Sequence, residues 1–236
     1  MSLPSPAAPP TAARRDPRQV LAWAAETYGD DVVLASALGD ASLAVLDVAR
    51  DLGLDLPVVF LDTGLHFPET LEHLARVEEY FGIQIERLAP RNTVQEQERD
   101  EGPALWEHDP DRCCALRKVA PLDAALAGRR AWISGLLRAA EGQRSGTAEI
   151  EWDVARRMVK INPLASWTRA DVVARLRARG VPRNPLRDLG YASVGCAPCT
   201  RPASPDDERA GRWAGFAKTE CGLHAGPVRK AVEVAS

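Results

Sequence analysis

Three features are missing from this sequence: a long apolar run, a net positive charge and an even number of cysteines. No apolar run approaches the length of a membrane-spanning helix, so no membrane segment is expected. The net charge is −3, and no overall basic field favours nucleic acid or an anionic membrane as a partner. A site for an anion must therefore come from local clustering of basic side chains.

The five cysteines form an adjacent pair, a C-x-x-C motif and a singleton. The first seventeen residues are rich in proline and alanine and lack the apolar core of a signal peptide. We therefore expect residues 1–17 to be a disordered tail and the protein to be cytoplasmic. Without an export signal a disulfide framework is not expected, and metal ligation or redox catalysis is the better interpretation of the thiols.

The chain has 236 residues, of which 45% are apolar and 27% charged, an ordinary globular balance. This length fits one sizeable domain with a hydrophobic core and a working tail. We place the domain at residues 18–205 and the C-terminal segment at residues 206–236.

Strands and helices alternate along the first half of the domain. Strands are predicted at 32–34, 58–61, 83–88 and 131–134. Helices are predicted at 18–28, through Leu43 to Val48, at 68–81, at 112–127 with Pro121 as a break or kink, from Thr168 to before Gly180, and around 206–217. This order favours an α/β fold with a mostly parallel twisted sheet and helices on both faces. Ligands of such sheets bind beyond the carboxyl ends of the strands, where the turns 35–42 and 62–67 would lie.

The turn after the first strand has the composition of an anion site. Ser36, Gly39 and Ser42 supply small side chains and hydroxyls at the N-terminus of the following helix. No Gly-Lys-Ser/Thr follows, so this is not a Walker loop. The alternative is an ordinary tight turn between a strand and a helix.

Four of the thiols are grouped as expected for metal ligands: Cys113, Cys114, Cys196 and Cys199. Four thiolates suit zinc or an iron–sulfur cluster. Adjacent cysteines bend the backbone if they ligate one small ion, whereas a cubane offers each of them its own iron atom. The adjacent pair therefore favours a cluster over zinc, with unligated buried thiols as the third alternative.

Basic residues crowd around these cysteines although the whole chain is acidic. They are Arg112, Arg117, Lys118, Arg138, Arg144, Arg201, Arg209, Arg212 and Lys218. This crowding predicts a multiply charged anion held near the metal. The alternative is that the long side chains only solvate helix faces.

Cys221 stands apart from the ligand set, between Lys218 and His224. A neighbouring cation lowers the pKa of a thiol, and the thiolate is the nucleophilic form. Gly222 and Gly226 predict a mobile segment that closes over substrate. The alternative is an incidental thiol near the C-terminus.

Several separate motifs together resemble one family, the assimilatory adenylylsulfate reductases of bacteria. These are the iron–sulfur members of the phosphoadenylylsulfate/adenylylsulfate reductase family. The motifs are Arg112-Cys113-Cys114-x-x-Arg117-Lys118, Trp132-Ile133-Ser134-Gly135, Asn162-Pro163-Leu164, Gly195-Cys196-x-x-Cys199-Thr200, Gly211-Arg212-Trp213 and Lys218-Thr219-Glu220-Cys221-Gly222-Leu223-His224. The resemblance covers roughly residues 30–225.

The resemblance implies an adenine nucleotide α-hydrolase-like fold with a modified phosphate loop at 36–42. It implies a 4Fe–4S cluster on Cys113, Cys114, Cys196 and Cys199, and adenosine 5′-phosphosulfate as substrate, because relatives that use the 3′-phosphorylated nucleotide usually lack the cluster cysteines. The implied substrate-side residues are Ser36, Gly39, Asp40, Asp62, Thr63, Gly64, Lys118, Arg144, Arg209, Arg212 and His224. His224 either assists thiolate formation or has a structural role.

The resemblance also implies a reaction. The Cys221 thiolate attacks the sulfur of adenosine 5′-phosphosulfate, AMP leaves, and thioredoxin releases sulfite from the Cys221 S-sulfonate. This is a step of assimilatory sulfate reduction and cysteine biosynthesis. Two departures concern anion contacts: Leu137 stands where many relatives have a second basic residue, and Gln143 stands where many have threonine.

Three alternative functions stay open. They are reduction of the 3′-phosphorylated nucleotide, ATP cleavage by a nucleotide-activating enzyme of the same fold, and a non-catalytic iron–sulfur or zinc module that senses redox state. The sequence leaves the oligomeric state open, a homo-oligomer included.

Overall fold

A computed structural model describes residues 16–138, 144–203 and 209–224, and the backbone of 229–230. The predicted disorder of residues 1–15, the departure at Gln143, the domain boundary at 205/206 and the hinge glycine Gly226 lie outside these residues. Asp16 and Pro17, which we predicted in the tail, instead begin the first helix. The Asp16 side chain accepts a hydrogen bond from the Arg18 N–H at 2.9 Å and caps that helix.

Seven strands form one sheet at the centre of the molecule. They are β1 (Val32–Ser36), β2 (Val58–Leu61), β3 (Glu86–Leu88), β4 (Ala131–Ile133), β5 (Ile150–Asp153), β6 (Met158–Ile161) and β7 (Arg229–Lys230). The order across the sheet is β3-β2-β1-β4-β6-β5-β7. Neighbours from β3 to β6 are parallel, and β5 pairs antiparallel with both β6 and β7. The α/β class with a mostly parallel sheet is confirmed.

Eight α-helices connect and cover the strands in the described ranges. They are α1 (Pro17–Tyr28), α2 (Asp40–Asp51), α3 (Pro68–Phe81), α4 (Val94–Glu101), α5 (Leu105–His108), α6 (Pro110–Cys114), α7 (Ala120–Leu126) and α8 (Arg169–Arg179). Proline in the first turn and left-handed Gly82 after the last fix the ends of α3. A capping box between Thr168 and Asp171 begins α8, and left-handed Gly180 ends it.

The two faces of the sheet bury separate apolar clusters. Leu34 and Phe60 belong to the larger cluster, together with apolar side chains of α1, α2, α3 and α8. Val33, one position away, faces the smaller cluster with Leu122 and Leu126 of α7. Because successive strand residues point to opposite faces, this division shows that helices cover both sides of the sheet.

Several predicted elements differ from the structure. The first strand continues to Ser36, and the third begins only at Glu86. The predicted helix 112–127 is α6, a π-helical turn Ala115–Val119 and α7 in succession. The described part of the predicted helix 206–217, residues 209–217, consists of turns, because its backbone groups bond to the loop that carries Cys199. No helix in the described ranges is both long enough and apolar enough to span a membrane.

Candidate active site

The loop between β1 and α2 forms the edge of a cavity. The Ser36 hydroxyl accepts a hydrogen bond from the Leu38 N–H at 3.0 Å and bonds the Ser42 hydroxyl at 2.9 Å. Gly39 is the N-cap of α2, and no described side chain caps it. The N–H groups of the first turn of α2 are thus available to an anion, as the sequence predicts.

Gly135 allows this loop to pack against the end of β4. A Cβ atom at Gly135 would lie 2.6 Å from the backbone N of Ser42. The Trp132-Ile133-Ser134-Gly135 motif therefore brings the neighbouring strand end directly against the start of α2.

The cavity lies beyond the carboxyl ends of the strands and has a volume of about 1350 Å³. Ten of the predicted site residues on the substrate side or in catalysis line it: Ser36, Gly39, Asp40, Thr63, Lys118, Arg144, Arg209, Arg212, Cys221 and His224. Asp62 and Gly64 do not line it. They form the turn behind Thr63, where the Asp62 carboxylate accepts the Gly64 N–H at 3.1 Å.

Asp40 is an ion-pair partner rather than an open ligand. Its carboxylate is 2.6 Å from the Arg183 guanidinium and 3.8 Å from that of Arg187. Burial, the largest effect, would raise the pKa of Asp40, but the two arginines lower it below its ordinary value. The side chain is therefore ionised, and it places negative charge at this point of the phosphate loop.

The four predicted ligand cysteines come together from two elements. Cys113 and Cys114 end α6, and Cys196 and Cys199 flank a short 3₁₀ turn. Burial, the largest effect, and the other three thiols together raise the pKa of Cys113 to about 11. The pKa of Cys199 is likewise raised to about 11 by burial and by Cys196. The thiols of Cys113 and Cys199 thus resist ionisation unless a cation accompanies them.

The loop of Cys196 is held tightly. The Ala197 N–H donates to the Leu65 carbonyl at 2.7 Å, and the Thr63 hydroxyl lies 3.3 Å from the Cys196 sulfur. Gly195 lies next to it, and a Cβ atom there would overlap the present position of the Arg212 guanidinium. The glycine in the Gly195-Cys196 motif therefore lets Arg212 approach the loop.

The π-helical turn after α6 carries two buried cations into the centre of the site. Arg117 donates to the Thr63 carbonyl at 2.5 Å and to the Gln97 side-chain oxygen at 3.0 Å. Through Thr63 it supports the turn that contacts Cys196. Arg117 thus stabilises the turn next to the thiols, and Gly64 packs against its guanidinium.

Lys118, in the same turn, is only 8% exposed. Burial, the largest effect, would lower the pKa of Lys118, but the nearby thiols of Cys196, Cys221 and Cys114 raise it above its ordinary value. The ammonium therefore lies close to the ligand thiols and to the isolated thiol together. It is therefore near both the predicted metal site and Cys221, the predicted nucleophile.

Segment 209–224 closes the cavity around a buried indole. The Trp213 ring is surrounded by four cations, which are Lys118 at 6.0 Å, Arg209 at 5.5 Å, Arg212 at 4.6 Å and Lys218 at 5.4 Å from its centroid. The backbone N–H of Trp213 donates to the Cys199 carbonyl at 3.0 Å, and Lys218 pairs with Asp111 on α6. The segment is thus packed onto the cysteine site.

Two of the predicted anion-binding arginines already have a carboxylate partner. Arg144 makes two hydrogen bonds to Glu220, at 2.7 and 3.0 Å, and Arg209 lies 3.2 Å from the same carboxylate. Glu220 directly precedes Cys221. Sequence reasoning did not select it, although a single acidic residue inside a basic motif was the signal available.

His224 is stacked on an indole and is partly buried. Its ring lies 5.6 Å from that of Trp132, at an interplanar angle of 6°. Burial lowers the pKa of His224 well below its ordinary value, and Lys160 and Arg144 lower it further. The imidazole is therefore neutral and a weak base, which favours the structural alternative over assistance to thiolate formation.

The departure at Leu137 removes a charge from the cavity wall. Leu137 lines the cavity, and the following Arg138 donates to the Thr147 carbonyl at 2.7 Å and lies 3.5 Å from Glu149. The positive charge at this edge is thus already paired.

The chain is similar to three curated bacterial relatives over most of its length. It is 51% identical to adenosine 5′-phosphosulfate reductase of Streptomyces coelicolor, over 87% of each chain. It is 48% identical to the protein of the same name from Geobacillus kaustophilus, over 87% of this chain and 88% of that one. It is 46% identical to adenosine 5′-phosphosulfate reductase 1 of Bacillus subtilis, over 87% of this chain and 89% of that one.

Solved structures agree on the fold. Phosphoadenylyl-sulfate reductase from Candida auris, in a phosphate complex, matches with a TM-score of 0.72 and 29% identity, over 81% of this chain and 93% of that one. An FMN adenylyltransferase from Candida glabrata, with FAD and pyrophosphate, matches with a TM-score of 0.58 and 14% identity, over 92% of this chain and 76% of that one, which shows the α/β fold alone. The family model of the phosphoadenosine phosphosulfate reductase domain matches residues 31–202. The chain belongs to the phosphoadenosine phosphosulfate reductase family.

Proposed function

We propose that this chain reduces adenosine 5′-phosphosulfate to sulfite and AMP, with Cys221 as the nucleophile, in assimilatory sulfate reduction and cysteine biosynthesis. The curated relatives at 46–51% identity carry the name of this activity. The observation that carries the proposal is one cavity in which the anion loop of α2, the buried Lys118 ammonium and Cys221 meet.

The first step is a displacement at sulfur. The Cys221 thiolate forms a bond to the sulfur of the phosphosulfate, and the bond from that sulfur to the bridging oxygen breaks. AMP departs with the electron pair, leaving a Cys221 S-sulfonate. Lys118 and Arg212 offset the repulsion between the thiolate and the anionic donor, and such positioned charges act strongly in a site that excludes water.

The second step needs a dithiol reductant, for which we propose thioredoxin. One of its thiolates attacks the Cys221 sulfur, and sulfite leaves with the bonding pair. The second thiol of the reductant then displaces Cys221 from the mixed disulfide. Cys221 returns to the thiol form and the reductant ends as a disulfide, so both electrons come from the dithiol.

The donor set fits a 4Fe–4S cluster on Cys113, Cys114, Cys196 and Cys199. The thiols of Cys114, Cys196 and Cys199 all raise the pKa of Cys113, so its sulfur lies near theirs. Yet in the described ranges no three Cys, His, Asp or Glu side chains surround a point where a single metal ion would be held. The adjacent pair Cys113-Cys114 beside a single C-x-x-C motif favours a cluster over zinc. Cys113 and Cys114 of α6 and Cys196 and Cys199 of the 196–199 turn would hold the cluster, which would link these two elements and supply a polarizable centre to the site.

The 3′-phosphorylated nucleotide is the second candidate substrate, because the family model and the Candida auris structure carry that name. Four cysteines in the cluster pattern and the paired Asp40 carboxylate at the phosphate loop favour the nucleotide without the 3′-phosphate. A cytoplasmic location, expected from the sequence, is part of the same proposal.

A turnover assay with both nucleotides tests the proposal. The wild-type protein, a dithiol reductant and either nucleotide are incubated, and sulfite and AMP are measured. We expect sulfite from adenosine 5′-phosphosulfate at a rate far above that from the 3′-phosphorylated nucleotide, and none from Cys221→Ser. Sulfite formation by Cys221→Ser would contradict the assigned nucleophile, and a preference for the 3′-phosphorylated nucleotide would establish the second candidate.

A further inference from the structure

We infer that Trp132 and Arg156 form a docking site for the dipeptide Leu223-His224 and so position Cys221 for attack. The inference rests on the proposed function, since it assigns positioning residues to the same reaction. Arg156 was not among the residues selected from the sequence, and Trp132 entered only as part of a motif.

Three contacts join the docking site to the two residues that follow Gly222. The Arg156 guanidinium donates to the Leu223 carbonyl at 3.0 Å. The His224 ring stacks on Trp132. The Leu223 side chain packs against the smaller core cluster, to which Trp132 belongs. A backbone contact, a ring contact and an apolar contact thus all act on one dipeptide.

The docking site is organised by its own hydrogen bonds. The Arg156 guanidinium also binds Asp123 at 2.8 Å and Asp153 at 2.9 Å, and its side chain is only 7% exposed. The Trp132 indole N–H donates to Asp153 at 3.1 Å. Arg156 lies over the Trp132 ring at 5.4 Å. Asp153 bonds both Trp132 and Arg156, so these two side chains are already fixed before the dipeptide docks. Docking therefore costs little of their conformational entropy.

Docking at Leu223 fixes the thiol from its C-terminal side. Gly222, which has a φ of 86°, turns the chain between Cys221 and Leu223. On the other side Glu220 is held by Arg144. Cys221 therefore lies between two anchored neighbours, one bound to a cation of the cavity and one bound to Arg156. Displacement of a reacting atom by about 1 Å can cost about 10²-fold in rate, so such anchors matter for the sulfur-transfer step.

The test measures formation of the Cys221 S-sulfonate in a single turnover without reductant. Four variants are compared with wild type: Arg156→Gln, Arg157→Gln, His224→Ala and His224→Phe. Arg157 is the exposed neighbour of Arg156 and serves as its matched control. AMP affinity and the thermal midpoint are measured on every variant, because a merely structural role would lower both.

We expect Arg156→Gln and His224→Ala to form the S-sulfonate about tenfold to 10²-fold more slowly than wild type. AMP affinity of Arg156→Gln should stay unchanged, since Arg156 does not line the cavity. His224→Phe should recover part of the rate lost in His224→Ala, because a phenyl ring also stacks on indole. Arg157→Gln should match wild type.

Wild-type rates in both Arg156→Gln and His224→Ala would overturn the inference. If Arg156→Gln loses AMP binding or its fold, the comparison of His224→Ala with His224→Phe tests the inference instead. A rate for His224→Phe as low as that of His224→Ala would then overturn stacking as the reason. Absence of S-sulfonate in the wild-type protein is a separate outcome, which refutes the proposed function itself.

Discussion

Lys118 is the residue on which the charge balance of the proposed site depends. It is buried, it lines the cavity, and it lies near both Cys221 and the ligand thiols. A long side chain of this type is rarely buried without a functional or paired partner. Here the partners are sulfur atoms, and in the reaction they would include the anionic donor.

Replacement of Lys118 by methionine keeps the length of the side chain and removes its charge. We expect the rate of S-sulfonate formation to fall by about 10²–10³, the usual cost of losing one positioned electrostatic group. Lys118→Arg is the matched control, because it keeps the positive charge. Single-turnover kinetics measure both, and equal rates for Lys118→Met and Lys118→Arg would show that the charge is not used.

His73 predicts how stability varies with pH. It is fully buried on α3, its ring nitrogen Nε2 bonds the Leu38 carbonyl at 3.2 Å, and burial lowers its pKa from 6.5 to about 4. As pH falls, the unfolded chain takes up this proton first, so the free energy of unfolding decreases between pH 6.5 and about 4. The full effect of this group is about 3 kcal/mol.

Denaturant unfolding of wild type and His73→Gln from pH 7 to pH 4 measures this effect. Glutamine keeps a donor for Leu38 and does not titrate. The difference in unfolding free energy between the two proteins should shift in favour of His73→Gln as the pH falls. A constant difference over the whole interval would show that His73 protonates equally in the folded and unfolded chains.

At the residue scale, the site residues that stand in recognisable motifs could be predicted from the sequence. The roles of residues that depend on contacts with distant parts of the chain could not. The cysteines and Lys118 stand in motifs, and the structure brings them together. Glu220 stands in a sequence motif, but its role was missed because one of its partners, Arg144, is 76 positions away, and Arg156 was missed because it binds a carbonyl 67 positions away. Contacts of that kind arise only from the tertiary fold.

At the scale of elements, predictions succeeded where residues such as proline and glycine mark the end of a helix or strand. The predicted bounds of β2 and α3 agree with the structure, and the proline and the glycine at the ends of α3 explain why. Strands β5 and β6 were missed because Glu151 and Lys160, a buried ion pair at 2.6 Å, interrupt their apolar pattern. The predicted helix around 206–217 is wrong in its described part, where Trp213 has a φ of 49°.

The segment that carries Cys221 is held by an internal carboxylate, and this contact has a measurable consequence. Glu220 competes with an external anion for Arg144 and Arg209. Glu220→Gln removes the competing charge, so we expect the protein to bind AMP about tenfold more tightly, equivalent to about 1.4 kcal/mol. Titration calorimetry measures the affinity, with Glu107→Gln on exposed surface as the control. Weaker binding by Glu220→Gln would show that the carboxylate orders the arginines for the substrate.

At the scale of the whole molecule, the proposed cluster would link the helix before Lys118 to the loop on which segment 209–224 packs. Iron and labile sulfide analysis of anaerobically purified protein should give about four of each per chain. Removal of the metal by chelation should then weaken AMP binding, because metal ligation and local folding are coupled. Zinc without sulfide, or AMP affinity that survives metal removal unchanged, would contradict this role.

The molecule as a whole brings the loop before α2, several cationic side chains and Cys221 to a single cavity. The most direct test is to incubate the wild-type protein with adenosine 5′-phosphosulfate in the absence of any reductant and to map the peptides by mass spectrometry. The account predicts one sulfonate group, carried by the peptide that contains Cys221, together with AMP in equal amount. A sulfonate on another cysteine, or AMP released with no modified peptide, would contradict it.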